Sequence, residues 1–187
     1  MRCKDDEKER RIREAVIEVV LKEGFGGASI SKIAKCAGIS PATVYTYYEN
    51  KECMLQSIYL TCKEEMFADL LGAVDGLTDG DRIIETLIRE YYSFMREHEM
   101  MFGFIESFGS SPALTCSCGQ AGGMQRMMQL VETWRKDEII RSYSAVNIFA
   151  LLFHPVKMLA ECSCTDETQK EELLTELIEI VQSALLV

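Results

Sequence analysis

The sequence predicts an all-α fold in two parts, and three observations carry that prediction. Only 3 prolines occur in 187 residues, and no stretch shows the alternation of a half-buried strand. Apolar residues recur instead at helical spacing along most of the chain. The stretch from Ser29 to Lys51 is punctuated as two short helices, a tight turn and the cap of a third. Hydrophobic residues make up 48% of the chain, ample for a sizeable core.

Residues 2–11 alternate basic and acidic side chains. They suit a frayed, solvated helix start, or a basic arm of Arg2, Lys4 and Lys8 near a polyanion. Ile12, Ala15, Val16, Val19 and Val20 then share one face of a first helix that ends at Gly24. Phe25 is the apolar residue expected just beyond a glycine stop. Ser29 is an N-cap type, because its hydroxyl accepts from an amide that the first helical turn leaves unpaired. Ile30, Ile33, Ala34 and Ala37 form the apolar stripe of the second helix. Gly38 supplies the left-handed residue that ends it. Ser40 caps again, and Pro41 stands where a missing N–H costs nothing. Val44, Tyr45 and Tyr48 are expected on the buried side of the third helix, with Thr43, Thr46 and Tyr47 outside. Asn50 caps a fourth helix that Lys51 opens. Two helices with this spacing read either as an ordinary αα-hairpin or as a helix-turn-helix, whose second helix must project to enter a DNA major groove.

The segment IAKCAGISPATVYTYYENKECML resembles the DNA-binding domain of the TetR (tetracycline-repressor) family. The matching positions are Ile33-Ala34, Ala37-Gly38-Ile39-Ser40, Ala42, Val44-Tyr45, Tyr47-Tyr48, Lys51-Glu52 and Leu55, with Ala15, Gly24 and Phe25 upstream. The resemblance covers about the first third of the chain. Pro41 replaces a residue that is often basic in the family, and Ala28 one that often carries a hydroxyl; both changes remove possible DNA contacts. The resemblance implies a DNA-facing set of Ser29, Ala42, Thr43, Tyr45, Thr46, Tyr47 and Lys51. Within it, Tyr47 and Lys51 would touch phosphates, Thr43 and Thr46 would face base edges, and Ala42 would allow close approach. It also implies a three-helix helix-turn-helix domain over 1–50. A helical effector-binding and dimerisation domain over 51–187 would follow, with the helix over about 51–73 as connector.

That connector places Leu55, Ile58, Tyr59, Cys62, Met66 and Leu70 at helical spacing. Gly72, Gly76 and Gly80, with Asp75, Thr78 and Asp79, make a loop. The fifth helix, about 81–97, buries Ile84, Leu87, Ile88, Tyr91, Tyr92 and Met95. Met100 to Phe108 is rich in Phe and Met, and a Gly/Ser/Cys-rich loop containing Pro112 runs on to Gly123. The seventh helix, about 124–136, carries Met127, Met128, Leu130, Val131 and the single Trp134. Aromatic and Met residues at helical spacing are ordinarily core. Phe102, Phe104, Phe108, Trp134, Phe149 and Phe153 are nonetheless the candidate lining for a small organic effector, since the resembled family usually holds one between helices of the second domain. The helix over about 143–161 is apolar nearly all round, so it must be covered on both sides. Pro155 should kink it. The last helix, about 167–186, has a seam of Leu173, Leu174, Leu177, Ile178, Val181, Ala184 and Leu185. Two copies of this helix pair would close a four-helix homodimer bundle, as the resemblance also implies.

The formal net charge of −10 is unevenly spread. Residues 1–62 carry 10 Lys+Arg against 9 Asp+Glu, and residues 63–187 carry 10 against 21. The acid lies in the second part, and screening keeps it from cancelling a local basic patch. Only modest nonspecific affinity for double-stranded DNA, with strong salt sensitivity, is expected. No run of 18 apolar residues is present, and the N-terminus is charged rather than apolar, so a cytoplasmic protein with no membrane partner is expected. The 8 cysteines are then thiols. Cys36, Cys53 and Cys62 read as small apolar fillers. The two Cys-Ser-Cys motifs, Cys116/Cys118 and Cys162/Cys164, offer an alternative as a thiol metal or redox sensor, but their spacing is not that of common zinc sites. The sequence lacks HExxH, a Gly-rich phosphate loop and Gly-x-Ser-x-Gly. No enzyme, no cofactor and no metal is expected; His98 is expected exposed, and His154 on a helix.

Overall fold

A computed structural model describes residues 2–109, 122–162 and 166–187. Nine helices occur among them: α1 (Arg2–Gly27), α2 (Ile30–Ala37), α3 (Pro41–Val44), α4 (Lys51–Ala73), α5 (Gly80–Glu97), α6 (Glu99–Gly109), α7 (Gly122–Lys136), α8 (Ala145–Glu161) and α9 (Glu167–Leu185). No strand is formed among the described residues; a lone antiparallel bridge joins Ile140 to Leu186. The expected all-α fold is the one observed.

The chain divides into two units. The first comprises the described residues of Met1–Lys63 and Glu99–Cys118; the second takes those of Glu64–His98 and Gly119–Val187. α4 therefore passes from one to the other within a single helix. α6, which lies far beyond residue 50, groups with the helix-turn-helix rather than with its neighbours in sequence.

In the first unit, α1 packs on α2 and α6, and α2 packs on α3. The buried faces are those that the periodicity marks: Ile12, Ala15, Val16, Val19 and Val20 on α1, and Ile30, Ile33, Ala34 and Ala37 on α2. α1 breaks at Gly24, where φ is 71° and ψ 171°, values that an L side chain rarely adopts. Phe25 then turns its ring into an aromatic cluster. Its centroid lies 5.4 Å from Phe108 and 6.3 Å from Phe104, and Phe108 stacks on Tyr59 at 4.0 Å. Edge-on and stacked pairs at these distances add to simple burial.

In the second unit, α5 packs on α8 and α9, and α8 on α9. Ile83, Ile84, Leu87 and Ile88 of α5 are buried with Ile148, Leu152 and Val156 of α8 and Leu174, Ile178, Val181 and Leu185 of α9. Salt links Arg89–Glu171 (2.6 Å) and Arg96–Glu167 tie α5 to α9 on the exposed side, where each contributes little. The Glu64 carboxylate accepts from the Gly123 amide at 2.7 and 3.0 Å, capping the start of α7. Trp134 of α7 is 3% exposed, and its carbonyl accepts from the amides of Ile139 and Ile140. Asp166 and Gln169 form a reciprocal capping box that starts α9. Pro155 lies inside α8, which continues through it.

Three expectations are corrected. Gly80 and Gly122–Gly123 are helical rather than loop residues. Cys36 and Cys53 are exposed, not core fillers, whereas Cys62 is fully buried. Leu174, Ile178, Val181 and Leu185 are each at most 4% exposed within their own chain, so these members of the expected seam belong to the unit's core.

Candidate nucleic-acid interface

The sequence punctuation around α2 and α3 is realised as hydrogen bonds. Ser29 is extended, and its hydroxyl accepts from the Lys32 amide at 3.3 Å. Gly38 closes α2 at φ 65°, and the Ile39 amide reaches back to the Ala34 carbonyl at 2.9 Å. The Arg11 guanidinium donates to the carbonyls of Ala37 and Gly38. The positive φ favours glycine at residue 38, and a Cβ there would stand 2.6 Å from that guanidinium and displace its flexible end. A cation at the carbonyl end of a helix also meets the negative end of its dipole. Sequence spacing does not single out Arg11. Its only local sign is a basic residue at the edge of the α1 apolar stripe.

α3 is a single turn. Ser40 accepts from the Thr43 amide at 3.1 Å, and its hydroxyl oxygen lies 2.9 Å from that of Thr43. After Val44 the backbone tightens: Thr46 and Tyr47 donate to carbonyls three residues back, at 3.1 and 3.0 Å. The expectation for Tyr45 is corrected. Expected on the buried side, it is 57% exposed, while Val44 is fully buried and Tyr48 half-buried. Ala42 and Thr46 are exposed, and Thr43 and Tyr47 partly so. The Thr46 hydroxyl donates to the Thr43 carbonyl at 2.6 Å. Burial, with the Glu9 carboxylate adding to it, pushes the Tyr48 phenol up to about 12.

The result is an exposed edge of Ala42, Thr43, Tyr45 and Thr46 standing on a firmly packed α2. Residues 12–58 match the family model described as bacterial regulatory proteins, tetR family. Over the whole chain, the fold follows a TetR family transcription regulator from Marinobacter aquaeolei VT8, with a TM-score of 0.85 at 25% identity, covering 100% of this chain and 99% of that one. Residues 12–58 are a domain of the tetR family, and the chain around them has the fold of a TetR family regulator.

Among curated relatives, the HTH-type transcriptional regulator UidR of Escherichia coli (strain K12) is 32% identical over 78 residues. That match spans 42% of this chain and 40% of the relative's length. The transcriptional regulator FadR from Bacillus subtilis, solved in complex with stearoyl-CoA, shares the fold at a TM-score of 0.73 and 18% identity, over 93% of this chain and 97% of that one.

Of the residues that a TetR-type reading assigns to DNA, several have polar groups engaged inside the first unit, the Thr43 and Thr46 hydroxyls described above among them. Ser29 is the α2 cap. The Lys51 ammonium donates to the carbonyls of Phe25 at 3.0 Å and Ala28 at 3.1 Å. The six aromatic candidates for an effector fall into two groups. Phe102, Phe104 and Phe108 are buried on α6 in the first unit. Trp134, Phe149 and Phe153 lie in the second, where Phe153 meets Tyr91 edge-on at 4.8 Å and stacks with Phe149 at 6.0 Å. A groove of about 660 Å³ in the same unit is lined by α4, the loop after it and α7, including Leu71, Val74, Leu77, Arg126 and Leu130, and by none of the six.

The outer faces of α8 and α9 expose Val146 (74%), Leu151, Met158 (75%), Leu173 and Ile180 (57%). Cys162 ends α8 and is half-buried, whereas Cys116, Cys118 and Cys164 lie outside the described residues. His98 is exposed and packs on Phe94, and His154 is exposed on α8. No described helix is long and apolar enough to cross a membrane, and no metal-holding cluster occurs among the described residues.

Proposed function

We propose that this chain is a DNA-binding transcriptional repressor, seated as a homodimer on an inverted-repeat operator and released by a small organic effector. The observation that carries the reading is the exposed edge of α3 and the turn behind it. Ala42, Thr43, Tyr45 and Thr46 offer small and hydroxyl-bearing groups to a groove, while α2 behind them has its apolar face buried and is capped at both ends. Tyr47 at the edge of this surface suits a phosphate contact. Selection from random duplex DNA with the purified chain tests it directly. A palindromic consensus supports the reading, and no enrichment over random sequence would overturn it.

The homodimer rests on the outward apolar side chains of α8 and α9, which a second copy would cover through an isologous contact. An effector favouring the non-binding arrangement would shift the dimer off DNA by population. Phe149 and Phe153, partly exposed and stacked at 6.0 Å, suit an organic, largely apolar ligand, and the FadR fold with stearoyl-CoA is a precedent of that chemistry. Phe104 and Phe108 are fully buried against Phe25 and Tyr59, which fits packing rather than binding. A ligand at about 100 times its dissociation constant should add roughly 2.7 kcal/mol of stability, a shift that a thermal screen reads.

A further inference from the structure

The Lys51 side chain stands at an unfavourable end of its own helix. It opens α4, where the dipole is positive and a cation is disfavoured. Its ammonium is instead directed to the Phe25 and Ala28 carbonyls, at 3.0 and 3.1 Å in a partly buried setting. Between these two lies the Gly27 carbonyl, which accepts from the Lys32 ammonium at 2.9 Å; Lys32 is held in turn by the Glu23 carboxylate. Three carbonyls of residues 25–28, the joint that runs from the Gly24 break in α1 towards α2, are thus taken by two lysines. The joint needs them. The helix has broken at Gly24, leaving carbonyls at its end without intrahelical partners. The Ala28 amide is fixed to the Gly24 carbonyl at 3.1 Å, so the joint is closed from both of its polar sides. Directly after it, Ser29 starts α2, on which α3 is packed.

We infer that Lys51 and Lys32 are positioning residues for DNA reading, which clamp the α1–α2 joint through its carbonyls and so hold α3 in register, rather than phosphate contacts. This rests on the DNA-binding reading proposed above. The two roles differ in one measurable respect. A phosphate contact releases counterions, so its loss makes the salt dependence of affinity shallower by about one unit. Loss of a positioning contact weakens operator binding and leaves that slope unchanged.

The test uses the full chain, an operator selected from random DNA and an unrelated duplex, titrated between about 50 and 200 mM salt. Lys51→Met should bind the operator about tenfold more weakly, in line with loss of charge-assisted hydrogen bonds. Its salt slope should match that of the unsubstituted chain, and binding to the unrelated duplex should change less. Without DNA, the amides of Ala28 and Ile33 should exchange faster in this variant. Lys51→Arg, which keeps donors for both carbonyls, should restore affinity and exchange protection. Should Lys51→Met not fold, Lys32→Met carries the same expectation, a weaker operator complex with unchanged slope. A slope shallower by about one, with amide exchange in the joint unaltered, would overturn the inference and return Lys51 to the phosphate. An unsubstituted chain that selects no DNA would instead remove the regulatory reading and this inference with it, an outcome separate from a shallower slope.

Discussion

α2 and α9 are both amphipathic helices capped at their starts, yet they treat their apolar residues differently. α2 buries all of its strongly apolar side chains, Ile30 and Ile33, inside its own unit and leaves Ser31, Lys32, Lys35 and Cys36 outside. α9 buries Leu174, Ile178, Val181 and Leu185, and then exposes Leu173 and Ile180 as well. The first pattern is that of a scaffold helix finished by its own chain. The second has one face complete and another that nothing among the described residues covers, which suits an interface between copies.

The sharpest way to break this comparison uses neighbours on α9. Val181→Lys places a charge in the second unit's core and should cost more than about 4 kcal/mol, read as loss of the folded baseline in urea. Ile180→Lys, one residue away, should leave folding nearly unchanged and convert a dimer to a monomer in sedimentation. If both variants unfold, the outer face of α9 is not a separate surface. On α2 the contrast should vanish, because only the inner face carries apolar side chains. Ile33→Ala should cost about 2–5 kcal/mol and weaken DNA binding with it. Gly38→Ala should cost about 1–2 kcal/mol from its positive φ, with Arg11 displaced from the helix end. Its effect should appear in the urea midpoint while the dimer persists.

The smallest effect concerns Tyr48 and alkaline pH. Its phenol is held neutral by burial, with a value near 12 against an ordinary value near 10. Above pH 10 the unfolded chain releases this proton before the folded one does, so stability falls as pH rises from about 10 towards 12. It is unaffected below that window. Tyr48→Phe should flatten that part of the pH–stability curve and leave the rest unchanged.

Much of the first unit is legible in the sequence, because caps and glycine stops act locally. Ser29, Gly38, Ser40 and Asn50 each occupy the role that their chemistry suggests. Tyr45 departs from its expected side because it directly follows the fully buried Val44, and adjacent residues of a helix point about 100° apart. Val181 departs for another reason. Two apolar stripes on one helix overlap in spacing, and periodicity alone does not say which of them meets the chain's own core. The grouping of α6 with the helix-turn-helix, and the carbonyls that receive Lys51 and Arg11, depend on contacts between residues far apart in sequence. No local pattern announces them. Of the candidate site, the exposed threonines and Ala42 are legible in the sequence; the internal engagement of Lys51 is not.

Trp134, the single tryptophan of the chain, gives the second unit an optical label of its own. Its indole is almost wholly shielded, so native emission should be blue-shifted and should move red only when that unit opens. Circular dichroism sums the helices of both units. Superimposable denaturation curves from the two signals would mean that the units melt as one cooperative body. A dichroism change that precedes the fluorescence change would mean that the helix-turn-helix unit loosens first, while the α5, α8 and α9 assembly is still intact.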